Sequence, residues 1–255
     1  MEIKNEKIIA AAIIGISIIA ATAIGAESFL RAKQLSNVLS VTGSAEKIVT
    51  SDTVKWQSSL TRSVSADQLK NGSAQINGDI GIVKAYFKKS GVQDAEITVN
   101  PVTVTPFCQS QNGVSYDKFG NQSCGSSPTA GYNLQQVIVV ESSRVPEITA
   151  LSQAASDYFI SQGLVFSTQS LEYYYGKLAD LRLDLLSQAT KDARDRAGRI
   201  AESTGKQIDS LVNASMGVFQ VTAKNSVEVS DYGVYDTASL EKKVTGVVRV
   251  SFSLK

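Results

Sequence analysis

The sequence predicts an α+β fold with a largely antiparallel sheet packed by three helices, preceded by one N-terminal transmembrane or signal helix. Strand and helix patterns alternate from Val38 to the C-terminus. The order strand-helix-strand occurs twice, which predicts a doubled βαβ-type unit. The chain has 255 residues, 43% of them hydrophobic and 19% charged, so it has enough apolar material for a core.

The N-terminal segment, residues 1–35, contains an apolar stretch of 19 residues from Ile8 to Ala26. As a helix this stretch would be about 28 Å long, near the thickness of the hydrocarbon core of a bilayer. Three interpretations are open: an uncleaved membrane anchor, a signal peptide cleaved near residues 21–23, and a buried helix of a soluble protein. Because residues 27–33 look like a continuing helix rather than a new N-terminus, we expect a single-span anchor.

The first strand-helix-strand unit begins with Thr53 to Val64, where apolar and polar residues alternate as in a half-buried strand. Ser65 predicts an N-terminal cap for the following helix, and Gly91 predicts its end. A strand follows over residues 97–104, where Pro101 indicates an edge strand or a bulge. The predicted inner face of the helix consists of Leu69, Ile76, Ile80, Val83 and Phe87.

The second unit and the C-terminal part continue the alternation. A third helix, Leu178 to Ser203, carries alanines in the second half of its apolar row, which lets it approach a sheet or another helix closely. The other predicted elements are strands at residues 132–140, 164–175, 208–221 and 245–254 and a helix at residues 145–162.

Charge and residue types exclude several classes of function. The chain has 25 basic and 24 acidic residues, and residues 36–255 contain 21 of each. A neutral domain has no basic surplus for binding nucleic acid. The chain has no histidine, the commonest general base and metal ligand, and no nucleophile elbow, phosphate-binding loop or carboxylate set with metal-ligand spacing. We therefore expect no enzymatic activity, no cofactor and no metal.

The two cysteines, Cys108 and Cys124, lie in one polar segment, Pro106 to Pro128, without helical or strand periodicity. A disulfide between them would close a loop of about 15 residues and restrict the unfolded chain; two free thiols are the alternative. An even pair behind an export signal is typical of an oxidising compartment. We therefore favour the disulfide and expect residues 36–255 on the extracytoplasmic side, in the periplasm or at the cell surface.

Trp56 and the run Tyr173-Tyr174-Tyr175 are candidates for a partner or ligand surface. Neighbouring rings on a strand point to opposite faces of the sheet, so at least one tyrosine is expected in the core and another at an interface. Core packing is the alternative interpretation for each of these aromatic residues.

Arg194, Arg196 and Arg199 are candidates for an interface or ligand surface on the third helix. The spacings Asp192–Arg196 and Asp195–Arg199 predict ion pairs between successive turns. Such pairs are typical of a solvated helix face, and an ion-pair surface between subunits is the alternative.

Several segments occur in the order and spacing of a known family: Leu39–Glu46, Ala189–Glu202, Met216–Gln220, Asp231–Gly233 and Asp236–Val244. They resemble the SIMPL-domain family of bacterial periplasmic immunogens and oxidative-stress defence proteins, in a membrane-anchored branch. The resemblance covers about residues 38–254. It implies an extracytoplasmic α+β domain, linked in some members to envelope or oxidative stress and to self-assembly into hollow rings.

Together these observations predict a non-enzymatic, membrane-tethered domain that self-assembles or binds envelope components, with a role in envelope or oxidative-stress protection. The alternative is a small-ligand-binding or sensory domain with an aromatic-lined pocket under the Trp56 and tyrosine strands. The expected partners are the membrane and further copies of the chain, without nucleic acid, and the sequence does not identify a ligand.

Overall fold

The computed structural model describes residues 15–27, 37–110, 114–125 and 127–255. Its fold is mixed α+β with mostly antiparallel strands, as predicted. The helices are α1 (described over residues 15–27), α2 (Leu69–Lys89), α3 (Val145–Ser161) and α4 (Leu178–Ser203). The strands are β1 (Val38–Thr50), β2 (Thr53–Ser65), β3 (Ile97–Val99), β4 (Thr103–Cys108), β5 (Ser115–Tyr116), β6 (Gln122–Ser123), β7 (Thr129–Ser142), β8 (Val165–Tyr174), β9 (Ile208–Met216), β10 (Gln220–Ala223) and β11 (Glu241–Leu254).

The predicted N-terminal segment is only partly described, because residues 1–14 and 28–36 lie outside the described residues. The described portion is helical and most of its side chains are exposed. Among the residues that the structure describes, no helix is both long and apolar enough to cross a membrane. The anchor over residues 1–35 stays a prediction.

One half of the domain, here called the large layer, is an antiparallel sheet in the order β3-β7-β2-β8, with β4 also paired to β7. Helices α2 and α3 pack on one face of it. The chain runs β2-α2-β3 with β7 between the two strands, and β7-α3-β8 with β2 between them. These are two interleaved split βαβ units, which confirms the predicted doubling.

Aromatic rings fill the core of the large layer. The rings of Trp56 and Phe87 lie 5.0 Å apart, and those of Phe159 and Phe166 lie 4.6 Å apart. The predicted inner face of α2 is confirmed, with Leu69 half-buried and its other four members buried. The aliphatic residues around the rings include Leu60, Ile76, Val83, Leu134, Ile138 and Ile148.

The other half, the small layer, is a sheet in the order β1-β11-β10, in which β9 also pairs with β11, covered on one face by α4. The buried row of α4 is Leu181, Leu185, Ala189, Ala193, Ala197 and Ala201. A Cβ placed on Gly43 of β1 would lie 2.2 Å from the carbonyl oxygen of Ala189, so strand and helix are in backbone contact. The alanine row thus packs on a sheet, as predicted.

The described strands therefore form two large sheets in place of the single predicted one, beside the two-stranded sheet of β5 and β6. Val38 at the start of β1 pairs with Ser253 near the end of β11, more than two hundred residues away. Periodicity along the chain carries no information on which distant strands pair. The two layers are joined at Ser51 and Asp52, where the Asp52 amide donates to the Tyr174 carbonyl at 3.0 Å.

Three local predictions need correction. Ser65 does not cap a helix: its hydroxyl donates to Asp67 Oδ1 at 2.7 Å, residues 66–68 form a 3₁₀ turn, and α2 begins only at Leu69. The strand predicted around Pro101 is split into β3 and β4, because proline lacks the N–H that a continuous ladder needs. The Cys segment contains a short hairpin of β5 and β6, whose two-residue strands are too short to show alternation.

Candidate functional site

Trp56, predicted as a core residue or a surface residue, lies in the core of the large layer. Its side chain has no exposed surface, and its indole Nε1 donates to Thr168 Oγ1 at 3.1 Å. With its polar group satisfied and its ring packed among phenylalanines, it has no free face for a partner. The prediction that Trp56 belongs to an interface or ligand surface is therefore wrong, and the prediction that it packs in the core is confirmed.

The three tyrosines occupy different surroundings, as alternation on a strand requires. Tyr173 is buried, and its hydroxyl lies 3.1 Å from Thr149 Oγ1. Tyr174 is half-buried, and its hydroxyl donates to Glu172 Oε2 at 2.5 Å. That hydrogen bond and burial raise the pKa of Tyr174 to about 12. Tyr175 lies at the edge of the α4 core and lines a cavity of about 230 Å³.

An aromatic-lined pocket under these strands requires accessible rings. Trp56 and Tyr173 are closed into the core, which leaves Tyr175 to contribute to a cavity. The other residues lining that cavity are Lys47, Lys177, Asp180, Leu181 and Asp184. Within the described residues, Trp56 and Tyr173 are therefore not available to line a pocket.

The arginines of α4 lie on its exposed face. Arg196 pairs with Asp192 at 2.8 Å, as predicted, whereas within the described residues Asp195 and Arg199 form no ion pair. Asp192 also accepts the backbone N–H of Ser44 at 2.9 Å. This bond from Ser44, and then the Arg196 guanidinium, lower the pKa of Asp192 below its ordinary value. The charged face thus contributes one contact to the sheet and otherwise faces solvent.

Cys108 at the end of β4 and Cys124 after β6 form a disulfide with their Cα atoms 5.4 Å apart. The predicted bond is confirmed. It connects the end of β4 to the segment that carries the β5-β6 hairpin, and so holds this polar segment next to β4. Residues 111–113 and 126 lie outside the described residues.

The two edges of the small sheet differ. On the β1 edge, α4 covers Gly43, Asp192 accepts the amide of Ser44, and Lys47 lies 3.8 Å from Asp184. Side chains that occupy the backbone groups of an edge strand prevent it from pairing with another chain. The middle of the β1 edge, at Gly43 and Ser44, is therefore covered by α4.

On the opposite side, β9 is an open edge. Among the described strands it pairs with β11 alone, so its outer row of backbone groups faces no strand. Three large apolar side chains on it are exposed: Leu211 by 60%, Val212 by 48% and Met216 by 58%. A bulge at Val212 interrupts the ladder and leaves residues 213–216 as its regular part. The sequence pattern did not single out this strand as a site.

The outer face of the small sheet, opposite α4, holds a cavity of about 250 Å³ under residues 224–235, here called the strap. Residues of the neighbouring strands β10, β11 and β1 form its floor. Gln220 pairs with Thr245, which pairs with Glu46, and Thr222 pairs with Lys243. The wall includes Val218, Val227, Val229 and Val247. The sequence pattern does not indicate this site, because alternating Gln and Thr residues also fit an ordinary solvent-facing strand.

Hydrogen bonds hold the strap to the sheet. Gln220 Nε2 donates to the Ser230 carbonyl at 2.6 Å, and Lys243 Nζ donates to the Ser226 carbonyl at 2.7 Å. The backbone of Val221 bonds to Val234 and Asp236 on either side. The strap is thus fixed at both ends and in the middle.

A buried lysine holds the segment after the strap. Lys242 has no exposed side-chain surface, and its Nζ donates to the carbonyls of Asp236 at 2.6 Å and Ser239 at 2.7 Å. Burial lowers the pKa of Lys242, opposed by the charge of Asp236. Burial raises the pKa of Asp236, but hydrogen bonds from Ser239 and Ala238 and the Lys242 charge together bring it below its ordinary value.

Within the described ranges no cluster of three or more Cys, Asp and Glu side chains is arranged to hold a metal ion. The candidate features described above are the edge strand β9 and the polar cavity under the strap, both in the small layer.

Comparison with known proteins adds the family. The model of the SIMPL family, described as a protein of unknown function (DUF541), matches residues 39–252, which include both layers. A comparison with curated proteins found none that matches the chain. Since the family model covers most of the sequence, the chain belongs to the SIMPL family.

Proposed function

We propose that this chain is a non-enzymatic, membrane-tethered extracytoplasmic domain that assembles with copies of itself through strand β9. The observation that carries the proposal is the contrast between the two edges of the small sheet. The middle of the β1 edge is covered by α4, whereas β9 presents an outer row of backbone groups that faces no described strand and three large exposed apolar side chains. An open edge strand with apolar side chains is a template for pairing with another strand, and residues 213–216 are the regular part of β9 that offers it.

The tether and the compartment are part of the same proposal. The 19-residue apolar stretch has the length of a single span, and the Cys108–Cys124 disulfide is typical of an oxidising compartment. We propose a role in the cell envelope, including protection under envelope or oxidative stress, with envelope components as further partners. This role is supported by the resemblance to the SIMPL family, some of whose members are linked to envelope or oxidative stress.

The test of assembly is the mass of the full-length chain extracted in detergent, measured by light scattering after size exclusion. We expect an oligomer for the wild type and a monomer for the double variant Leu211→Lys with Met216→Lys, because edge lysines oppose strand pairing. The matched control is Val165→Lys, which changes an exposed apolar residue on β8, an edge strand of the large layer. It should keep the wild-type mass.

Two results would count against this assembly. One is a wild-type chain that stays monomeric at tens of micromolar, and the other is an oligomer that Val165→Lys dissociates and the β9 variant leaves intact. Circular dichroism of each variant checks that the mass change does not come from unfolding.

The tether is tested in cells. The full chain should remain in the membrane fraction after alkaline carbonate extraction, and deletion of residues 1–35 should release it. Protease added to the extracytoplasmic side should digest the domain in intact cells with a permeabilised outer layer. A domain that becomes accessible only after lysis would place it on the opposite side.

A further inference from the structure

Two buried polar atoms on residues that line the cavity under the strap have no hydrogen-bond partner in the part of the chain that the structure describes. They are Gln220 Oε1 and Thr222 Oγ1, on side chains exposed by 6% and 3%. Because Gln220 Nε2 donates to a carbonyl, the orientation of the amide is set and its oxygen is the free acceptor. Buried acceptors and hydroxyls are nearly always paired, so these two atoms point to a ligand.

Three charged side chains line the cavity, Glu46 and Lys243 on the sheet and Glu228 on the strap. Glu46 stands at the Gln220 end, two strands across, whereas Lys243 stands directly beside Thr222. One end therefore offers an acceptor and a carboxylate to a cation. The other offers a hydroxyl and an ammonium group, which has N–H groups beyond the one donated to Ser226.

Apolar side chains complete the lining. Val218 and Val247 lie beyond the Gln220 row, on the side away from Lys243. Successive residues on one face of a strand are about 7 Å apart, so the three rows extend over roughly 13 Å. At about 250 Å³ the cavity is below the roughly 300–1,000 Å³ typical of drug-sized ligands, so its ligand is small.

We propose that this cavity binds a small aliphatic zwitterion, an aliphatic amino acid or a dipeptide that begins with one. The ligand ammonium donates to Gln220 Oε1 and faces Glu46. The ligand carboxylate accepts from Thr222 Oγ1 and faces Lys243, and the aliphatic side chain packs on the valines. The strap, held to the floor by Gln220 and Lys243, forms the roof.

The test is isothermal titration calorimetry of the full-length chain with matched probes. L-leucine carries all three groups, isoamylamine is leucine without the carboxylate, and isocaproate is leucine without the ammonium. We expect leucine or leucylglycine to bind, and each of the two truncated probes to bind at least tenfold more weakly than leucine. The stronger of leucine and leucylglycine identifies the source, free amino acid or peptide.

Thr222→Val separates binding from folding. It replaces the unpaired hydroxyl with a methyl group of similar size, so we expect unchanged or higher thermal stability together with a loss of leucine affinity of tenfold or more. The control is Thr42→Val, an exposed residue of β1 outside the cavity, which should leave the affinity unchanged.

The proposal is overturned if neither leucine nor leucylglycine binds, or if isocaproate or isoamylamine binds as tightly as leucine. It is also overturned if Thr222→Val keeps the wild-type affinity, or if this variant unfolds at a clearly lower temperature, because the hydroxyl would then have a structural partner. Assembly through β9 is measured separately by mass, so either proposal can fail alone.

Discussion

The large layer and the small layer bury their helices in different ways. The large layer packs two helices on its sheet through Trp56 and three phenylalanines, and its core is filled. The small layer packs one helix through alanines and Gly43, so that helix and strand backbones touch. Its other face carries the strap and its cavity, whose lining residues Gln220 and Thr222 have unpaired polar atoms.

The difference between the two layers suggests that the large layer contributes more to stability and that the small layer carries the surface chemistry. Large aromatic side chains contribute most of the apolar area that a core can remove from water. Alanines bury little apolar area, but they let the helix and strand backbones approach closely. Most polar and charged side chains of the small sheet lie on its other face. Both candidate features, the β9 edge and the strap cavity, lie in the small layer, whose core side chains are the smaller ones.

The largest expected effect is on the aromatic core. Trp56→Ala should lower the free energy of unfolding by about 3–5 kcal/mol, since a fully buried ring is replaced by a cavity. Urea unfolding followed by circular dichroism measures it. The control is Leu211→Ala on the exposed β9 edge, and a comparable loss in both variants would contradict the contrast.

The next effect concerns the close packing of the small layer. Gly43→Ala should cost about 1–3 kcal/mol, because the new Cβ would overlap the α4 backbone. Hydrogen exchange should show the loss of protection in α4 and β1, with α2 and α3 still protected. Gly78→Ala in α2 is the matched control: nothing lies within 4 Å of its Cβ position, so it should be neutral or stabilising. Equal losses at both glycines would refute the close-contact argument.

A smaller effect is expected at the segment that follows the strap. The pKa of Asp236 is lowered in the folded chain, so its carboxylate contributes stability that is present above about pH 4 and lost as the pH falls through the folded pKa. Asp236→Asn should cost about 1–2 kcal/mol at pH 7 and reduce the acid-dependent loss of stability. Unfolding measured from pH 2 to pH 7 checks this, with exposed Asp231→Asn as the control. An unchanged pH profile would contradict it.

The smallest effect is expected on the exposed face of α4. Arg194→Ala with Arg199→Ala should change the free energy of unfolding by less than about 0.5 kcal/mol, as is usual for exposed charges. If assembly uses β9, the mass of the oligomer should also stay the same. A monomer would instead favour the ion-pair surface between subunits.

Much of the local structure was predictable. The bounds of α4, the inner face of α2 and the Cys108–Cys124 bond follow from periodicity, cap glycines and cysteine spacing, all of which act over short distances. Ser65 shows the limit of such signals, because its hydroxyl had a competing local acceptor in Asp67.

The candidate site was not predictable in the same way. Trp56 and Tyr173 have the side chains of a binding surface, yet their position on the helix-covered face of β2 and β8 places them in the core. Gln220 and Thr222 look like ordinary strand residues until the strap lies over them.

The sequence by itself determined the fold class, the balance of charge, the helices and the disulfide, because these depend on residue type and on spacing within a few turns or strands. Only the tertiary structure decided that β1 pairs with β11 in a second sheet, that α4 covers the middle of β1 while β9 is left open, and that two residues lining one cavity carry unpaired polar atoms. The physical reason is that strand pairing and burial join residues far apart along the chain, whose partners no local pattern specifies.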